Sequence, residues 1–380
     1  VLTSESRILT THTGSLPRPG RLAELHGRRS RGEEVDLSEL RTAVREATAA
    51  SVANQLRAGI DIGNDGEQAR ESFFTYVQHR MTGFGGTSHR PLMRDLLDHP
   101  DFMELALPRR ERMKVNLLSA PAALSEVVYR DTTEVEAECE LVKDAPFAET
   151  FMTAASPGIV ASAMENRHYA STEEYVRAVA RALRSEYLYI VERGLLLQID
   201  APDLALERHT LFADRPLNEF LEWVELVVQV INETLDGIDP GRVRLHICWG
   251  NYEGPHTRDV ALEELLPLIF RAKVGALVLS MANPRHAHEY RCFERHPLPE
   301  GMVLVAGVID TTSNYVEHAE VVAERLAGIA HAVGDARRVI AGTDCGFDTS
   351  AGIGDVAPSV VWEKLRALRA GADLASARLF

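Results

Sequence analysis

Val243-Arg244-Leu245-His246-Ile247-Cys248 is a short β-branched run that ends in two reactive side chains, His246 and Cys248. A strand places residues i and i+2 on one face, so the imidazole and the thiol project together. Working outward, the same kind of run recurs at 8–12, 59–63, 149–153, 195–200, 276–280, 303–310 and 338–345, and nearly every one ends in a polar or reactive residue. Amphipathic helical stretches lie between them. One opens on a capping-box spacing, Asp36 to Glu39, and continues to about Ala58; another opens at Ser171 with Glu174 three residues on and closes at Gly194. Eight apolar runs, each followed by a helical segment, read as an α/β chain folded as a (β/α)₈ TIM barrel, because buried parallel strands need helical crossovers. An open doubly wound sheet is the alternative. The barrel is favoured because its C-terminal rim gathers strand ends into one active site.

One segment breaks the rhythm. Residues 70–150, after the second run, are too long for a βα connection and read as an insertion within a single barrel domain spanning 1–380. Within it, 133–141 alternates with period 2, which predicts half a hairpin with Val135, Ala137, Cys139 and Leu141 inward and the glutamates in solvent. The segment's place over the barrel mouth makes it a candidate lid.

The chain has 380 residues, 45% hydrophobic and 26% charged, with a formal charge of −15. That charge argues against nucleic acid or anionic lipid as partners. No apolar run approaches the roughly 20 residues that span a bilayer, and Val1–Arg7 lacks a signal peptide's apolar stretch, so the chain reads as cytoplasmic. Four cysteines are too few for a disulfide framework. Cys345, at the end of the eighth run, would look across the barrel mouth at His246 and Cys248. One imidazole and two thiolates form a soft donor set that selects Zn²⁺ and leaves one tetrahedral position open, the arrangement of a catalytic rather than a structural site. Cys139 and Cys292 lack such placement and read as structural.

The segments Thr11–Pro17, Asp65-Gly66-Glu67, Gln198–Pro202, His246-Ile247-Cys248, Gly307–Asp310 and Asp344-Cys345-Gly346 occur in an order that resembles the catalytic domain of cobalamin-independent methionine synthase. Its superfamily also contains uroporphyrinogen decarboxylase and epoxyalkane:coenzyme M transferase. The resemblance implies that His246, Cys248 and Cys345 bind zinc and that the open position receives a substrate thiol for S-alkylation. It further implies that Glu67 and Asp200 hold the amino group of homocysteine, that Thr13, Gly14 and Ser15 hold its carboxylate, and that Asp310 orients the metal's surroundings or the substrate.

Three departures bear on the substrate. Ser280 stands where the family has a further zinc-ligating glutamate, Thr312 where it has a proton-donating histidine, and 154–163 contains no aromatic residue to stack on a folate ring. The zinc side is kept while the donor side is rebuilt. The expected activity is therefore either methyl transfer to homocysteine or epoxide opening by coenzyme M, each pairing a small thiol with an alkyl donor. Tyr252 and His256 are candidate acids for the second branch, and Arg18, Arg70 and Arg285 candidate clamps for a sulfonate. A metal-free lyase like uroporphyrinogen decarboxylase is the rival reading, and three soft ligands argue against it. The sequence is compatible with a homo-oligomer but does not specify one.

Overall fold

The computed structural model describes residues 1–110, 113–115, 117 and 120–380, excepting the side chains of 107–110. Among these residues are nine strands: β1 (Ile62–Gly63), β2 (Met81–Gly85), β3 (Ala122–Tyr129), β4 (Glu149–Ala155), β5 (Leu196–Asp200), β6 (Val243–Ile247), β7 (Ala276–Ser280), β8 (Val303–Ile309) and β9 (Val339–Thr343). Seven of them form one parallel sheet in the order β1-β4-β5-β6-β7-β8-β9. Seven of the eight apolar runs thus become sheet strands. The first run contributes two isolated parallel bridges instead, Thr10 to Ala341 and Thr11 to Ile62. Those partners lie on β9 and β1, the two edges of the sheet.

Alternation along the strands builds two layers. On β5, Leu196 faces inward while Leu197 and Ile199 face the helices; on β6, Leu245 and Ile247 face outward. The inward cluster joins Ile62, Phe151, Leu196, Val278, Val305 and Ile340, drawn from strands at both ends of the order, so the sheet curls until its edges share a core. The outward residues pack against the helices Thr172–Glu192 and Leu217–Thr234 through residues such as Leu183 and Val227. Each buried Leu, Ile or Val contributes roughly 1.5–3 kcal/mol. Helix limits follow the sequence signals. Asp36 accepts from the Ser38 and Glu39 amides, Ser171 accepts from the Glu174 amide, and Gly59 closes its helix at φ 83°.

The 70–150 segment differs from expectation in one respect. Residues 133–141 are not a strand but part of the helix Thr133–Val142. Its buried positions are Val135, Glu138, Cys139 and Val142, spaced three and four apart, whereas Ala137 is exposed. A run that alternates with period 2 also satisfies part of a 3.6-residue period, and buried Glu138 decides between them by meeting Arg70 and Arg80. The segment does contain an antiparallel pair, β2 with β3. Residues 111, 112, 116, 118 and 119 of it lie outside the described set. No described helix is long and apolar enough to cross a membrane.

Candidate metal and substrate site

The inward face of β5 and β6 continues from core to chemistry. Register pairs Asp200 with His246, and Cys248 follows two residues on, on the same face. Cys345 follows β9. One ligand atom from each of His246, Cys248 and Cys345 lies within 4.8 Å of the other two. All three residues are buried, and both cysteines are free thiols. His246 Nδ1 faces Asp200 Oδ1 at 3.0 Å, and its Nε2 is buried with no hydrogen-bond partner. A carboxylate on one ring nitrogen fixes the tautomer that leaves the other nitrogen free to ligate.

Electrostatics describe the same incompleteness. Burial draws the His246 ring down, but Cys248 and Asp200 outweigh it and push the ring up to about 10. The Cys345 hydrogen bond, with His246 beside it, holds Cys248 well below the usual thiol range, while that shared proton pushes Cys345 well above it. Two sulfurs and the orphaned nitrogen of one imidazole, three donors in all, fit a Zn²⁺-class ion with one position open.

Asp344, which the sequence reading passed over, braces this cluster. Its carboxylate accepts from the amides of Met281 (2.9 Å), Ala282 (2.8 Å) and Asn283 (2.8 Å), tying the end of β7 to the residue before Cys345. Burial, with Asp310 nearby, raises its carboxyl to about 7. Gly307 is required there, since a Cβ would stand 2.6 Å from Asp344 Oδ1. Ser280, at the end of β7, donates its hydroxyl to the Asp344 carbonyl at 2.7 Å.

A cavity of about 500 Å³ opens above the cluster. Thr13, Ser15, Glu67, Asp200 and Tyr252 line it together with the three candidate ligands. Thr13 is fixed to β9 by its amide to Thr343 Oγ1 (3.1 Å) and its hydroxyl to the Thr343 carbonyl (2.8 Å). Gly14 has φ 148°, and a Cβ on it would lie 2.6 Å from Glu67 Oε1, so this glycine makes room for the carboxylate. Glu67 Oε1 accepts from Thr153 Oγ1 at 3.1 Å, and Oε2 is buried without a partner. Burial and the nearby Asp200 push the Glu67 carboxyl up to about 8. The rest of the wall is largely apolar, with Phe73, Phe74, Met93, Leu96 and Phe102 all contributed by the 70–150 segment.

The remaining candidates are placed differently. Tyr252 lines the cavity and donates its hydroxyl to Asp95 Oδ2 at 2.7 Å. His256 lies behind it, not on the cavity wall, with Nδ1 on Asp259. Asp310 accepts from the Thr312 amide and hydroxyl and from the Ser313 amide, closing its own loop off the wall. Arg18 pairs with Asp348 and Arg70 with Glu138, and neither lines the cavity; Arg285 is exposed. Arg90, which does line it, pairs with buried Glu207.

No family model matches the chain. Among curated proteins it is similar to methionine synthases of Sulfolobus acidocaldarius (25% identical over 319 residues, 83% of this chain and 79% of the relative) and Thermococcus kodakarensis (26% over 341 residues, 89% and 86%). It is also similar to 2-hydroxypropyl-CoM lyase of Xanthobacter autotrophicus (23% over 373 residues, 90% and 89%). Among solved structures, a B12-independent methionine synthase from Shewanella sp. W3-18-1 in complex with selenomethionine shares the fold with a TM-score of 0.75 at 23% identity, covering 98% of this chain and 99% of that one. A putative vitamin-B12-independent methionine synthase from Listeria monocytogenes gives 0.66 at 17%, covering 97% and 99%. The chain is thus similar in sequence to methionine synthases and to 2-hydroxypropyl-CoM lyase, and it shares the fold of the two B12-independent methionine synthase structures.

Proposed function

We propose that this protein is a zinc-dependent S-alkyltransferase acting on an amino-acid thiol of the homocysteine type, on a barrel whose first stave is the short bridge segment at residues 9–11. The observation that carries the reading is His246. Its outer nitrogen is braced by Asp200, and its inner nitrogen is orphaned beside two thiols at the floor of a cavity. His246, Cys248 and Cys345 would hold the ion, which when bound supplies a charge that keeps a thiol deprotonated and nucleophilic at neutral pH.

The reaction forms a carbon–sulfur bond and breaks the bond between that carbon and its carrier, which departs with the electron pair. The chain's own residues set the terms. Glu67, with Oε2 unpartnered, and Asp200, which lines the same cavity, together offer two carboxyl groups to a substrate ammonium. A bound cation would draw the raised Glu67 carboxyl back toward ionisation. The apolar wall excludes water from the transfer, and the donor side suits a compact electrophile, since 154–163 carries no aromatic platform for a pterin.

The coenzyme M branch fits less well. A sulfonate needs a cation, and the buried arginines near the cavity already face carboxylates, while Glu67 turns an unpartnered carboxyl oxygen, Oε2, to the site. Calorimetric titration of the zinc-loaded chain with L-homocysteine and with coenzyme M separates the two. Homocysteine should bind and coenzyme M should not; the reverse order would overturn the assignment of the thiol.

A further inference from the structure

A second set of donors converges beneath the loop that follows β6, outside the cavity. His256 and Asp259 belong to this loop and His286 to the loop after β7, and one ligand atom of each lies within 4.8 Å of the other two. The hydrogen bonds show how the rings are set. His286 Nδ1 faces Glu289 Oε2 at 2.7 Å, and its Nε2 faces Asp259 Oδ2 at 2.8 Å. His256 Nε2 faces the Tyr252 carbonyl at 3.1 Å, and its Nδ1 faces the same Asp259 Oδ2 at 2.8 Å. A carbonyl or carboxylate on the far nitrogen takes the N–H of a neutral ring, so both near nitrogens aim lone pairs at one carboxylate oxygen. For neutral rings that convergence repels, and either a second proton on each ring or a metal ion relieves it.

Two further features point to a metal ion rather than to protons alone. The far acceptors, Glu289 and the Tyr252 carbonyl, are the partners that ligating histidines use to fix tautomer and orientation. Asp259 Oδ1 and both nitrogens of His209 are buried without hydrogen-bond partners, and His209 Nε2 stands 3.7 Å from that Oδ1. His209 is itself fully buried, with Nδ1 3.5 Å from Asp95 Oδ1, so a fourth candidate donor stands beside Asp259 at the edge of the trio.

We propose that His256, Asp259 and His286, with His209 as fourth donor, bind a second divalent transition metal of the zinc class. The donor set is imidazole and carboxylate, without sulfur, and closed to the cavity, which is the pattern of a structural site. It would clamp the loops after β5, β6 and β7. The ring of Trp249, the residue after Cys248, stacks on His286 with centroids 3.9 Å apart, so the clamp would also steady the thiol site.

The test is metal stoichiometry on the full chain exchanged into Co²⁺. Cobalt bound to thiolate gives intense near-ultraviolet charge-transfer absorption, and cobalt bound only by nitrogen and oxygen does not. Two equivalents are expected, one of each kind. His286→Gln and Asp259→Asn should each lose the equivalent without charge transfer and keep the other, and Cys248→Ser should do the opposite. A wild-type chain that lacks the equivalent without charge transfer, or one in which that equivalent persists in both His286→Gln and Asp259→Asn, would overturn the proposal and leave the cluster a proton-bridged ion network. Should the variants fail to fold, the wild-type stoichiometry decides alone. Loss of the charge-transfer equivalent with the other retained would count against the thiol site only.

Discussion

Two fully buried glutamates on either side of β4 are displaced in opposite directions. Burial raises both, but around Glu186 the Arg80 and Arg70 guanidinium groups outweigh it and hold the carboxyl below its usual range. Around Glu67 the neighbouring Asp200 adds to burial, and the carboxyl stands at about 8. The Glu186 region is closed: Arg70 and Arg80 meet Glu138 and Glu186, Tyr76 lies 4.5 Å from both guanidinium groups, and Tyr76 and Tyr129 donate to Glu186 at 2.7 and 2.6 Å. The Glu67 region is open, with orphaned atoms on Glu67 and His246 at a cavity. A single side chain, Thr153, joins the two by accepting from Arg70 and donating to Glu67. Buried charge alone therefore marks structure, and buried charge left unpartnered beside a cavity marks chemistry.

The sharpest way to break this comparison is at the ligands. Cys248→Ser and Cys345→Ser should each lower metal content by about one ion per chain while leaving the fold intact, since ligand loss removes binding energy rather than core; elemental analysis with circular dichroism checks both. In the closed region the result should invert. Glu138→Ala leaves two buried arginines short of a partner and should cost about 3–5 kcal/mol in chemical unfolding with metal content unchanged. Glu67→Gln should raise the KM for homocysteine about ten- to hundredfold, the scale of one charged hydrogen bond, with zinc retained; an unchanged KM would place the ammonium elsewhere.

The smallest effect is one of pH. The Glu67 carboxyl rises from 4.5 to about 8 on folding, so the folded chain binds the extra proton between those values, and its contribution to stability falls as pH rises through that window. Glu186 lies on the other side: its contribution is present above the unfolded carboxyl range and is lost as pH falls. Urea midpoints across pH should show Glu67→Gln removing a downward slope between 4.5 and 8, and Glu186→Gln removing an acid-side loss.

Most of the sheet strands, and the shared face of His246 and Cys248, were legible because alternation is local. Leu245, His246, Ile247 and Cys248 announce their own faces, and Asp36, Ser171 and Gly59 announce their helix ends. What depends on distant partners was not legible. The helix at 133–142 hides behind a period-2 pattern because the reason Glu138 is buried lies 58 and 68 residues away, at Arg80 and Arg70. Asp344 sat in a quoted motif, yet its task is defined by amides of another loop. The run at 8–12 forms bridges rather than a strand because its pairing is divided between the two sheet edges, one residue to each.

The central claim, that the cavity floor takes a metal and that the metal takes the substrate sulfur, is tested most directly by zinc X-ray absorption of the purified chain with and without L-homocysteine. The account predicts a thiol site of two sulfurs and one imidazole that gains one further sulfur neighbour when homocysteine is added, in the wild type and not in Cys345→Ser. An unchanged zinc shell on addition of homocysteine would contradict it.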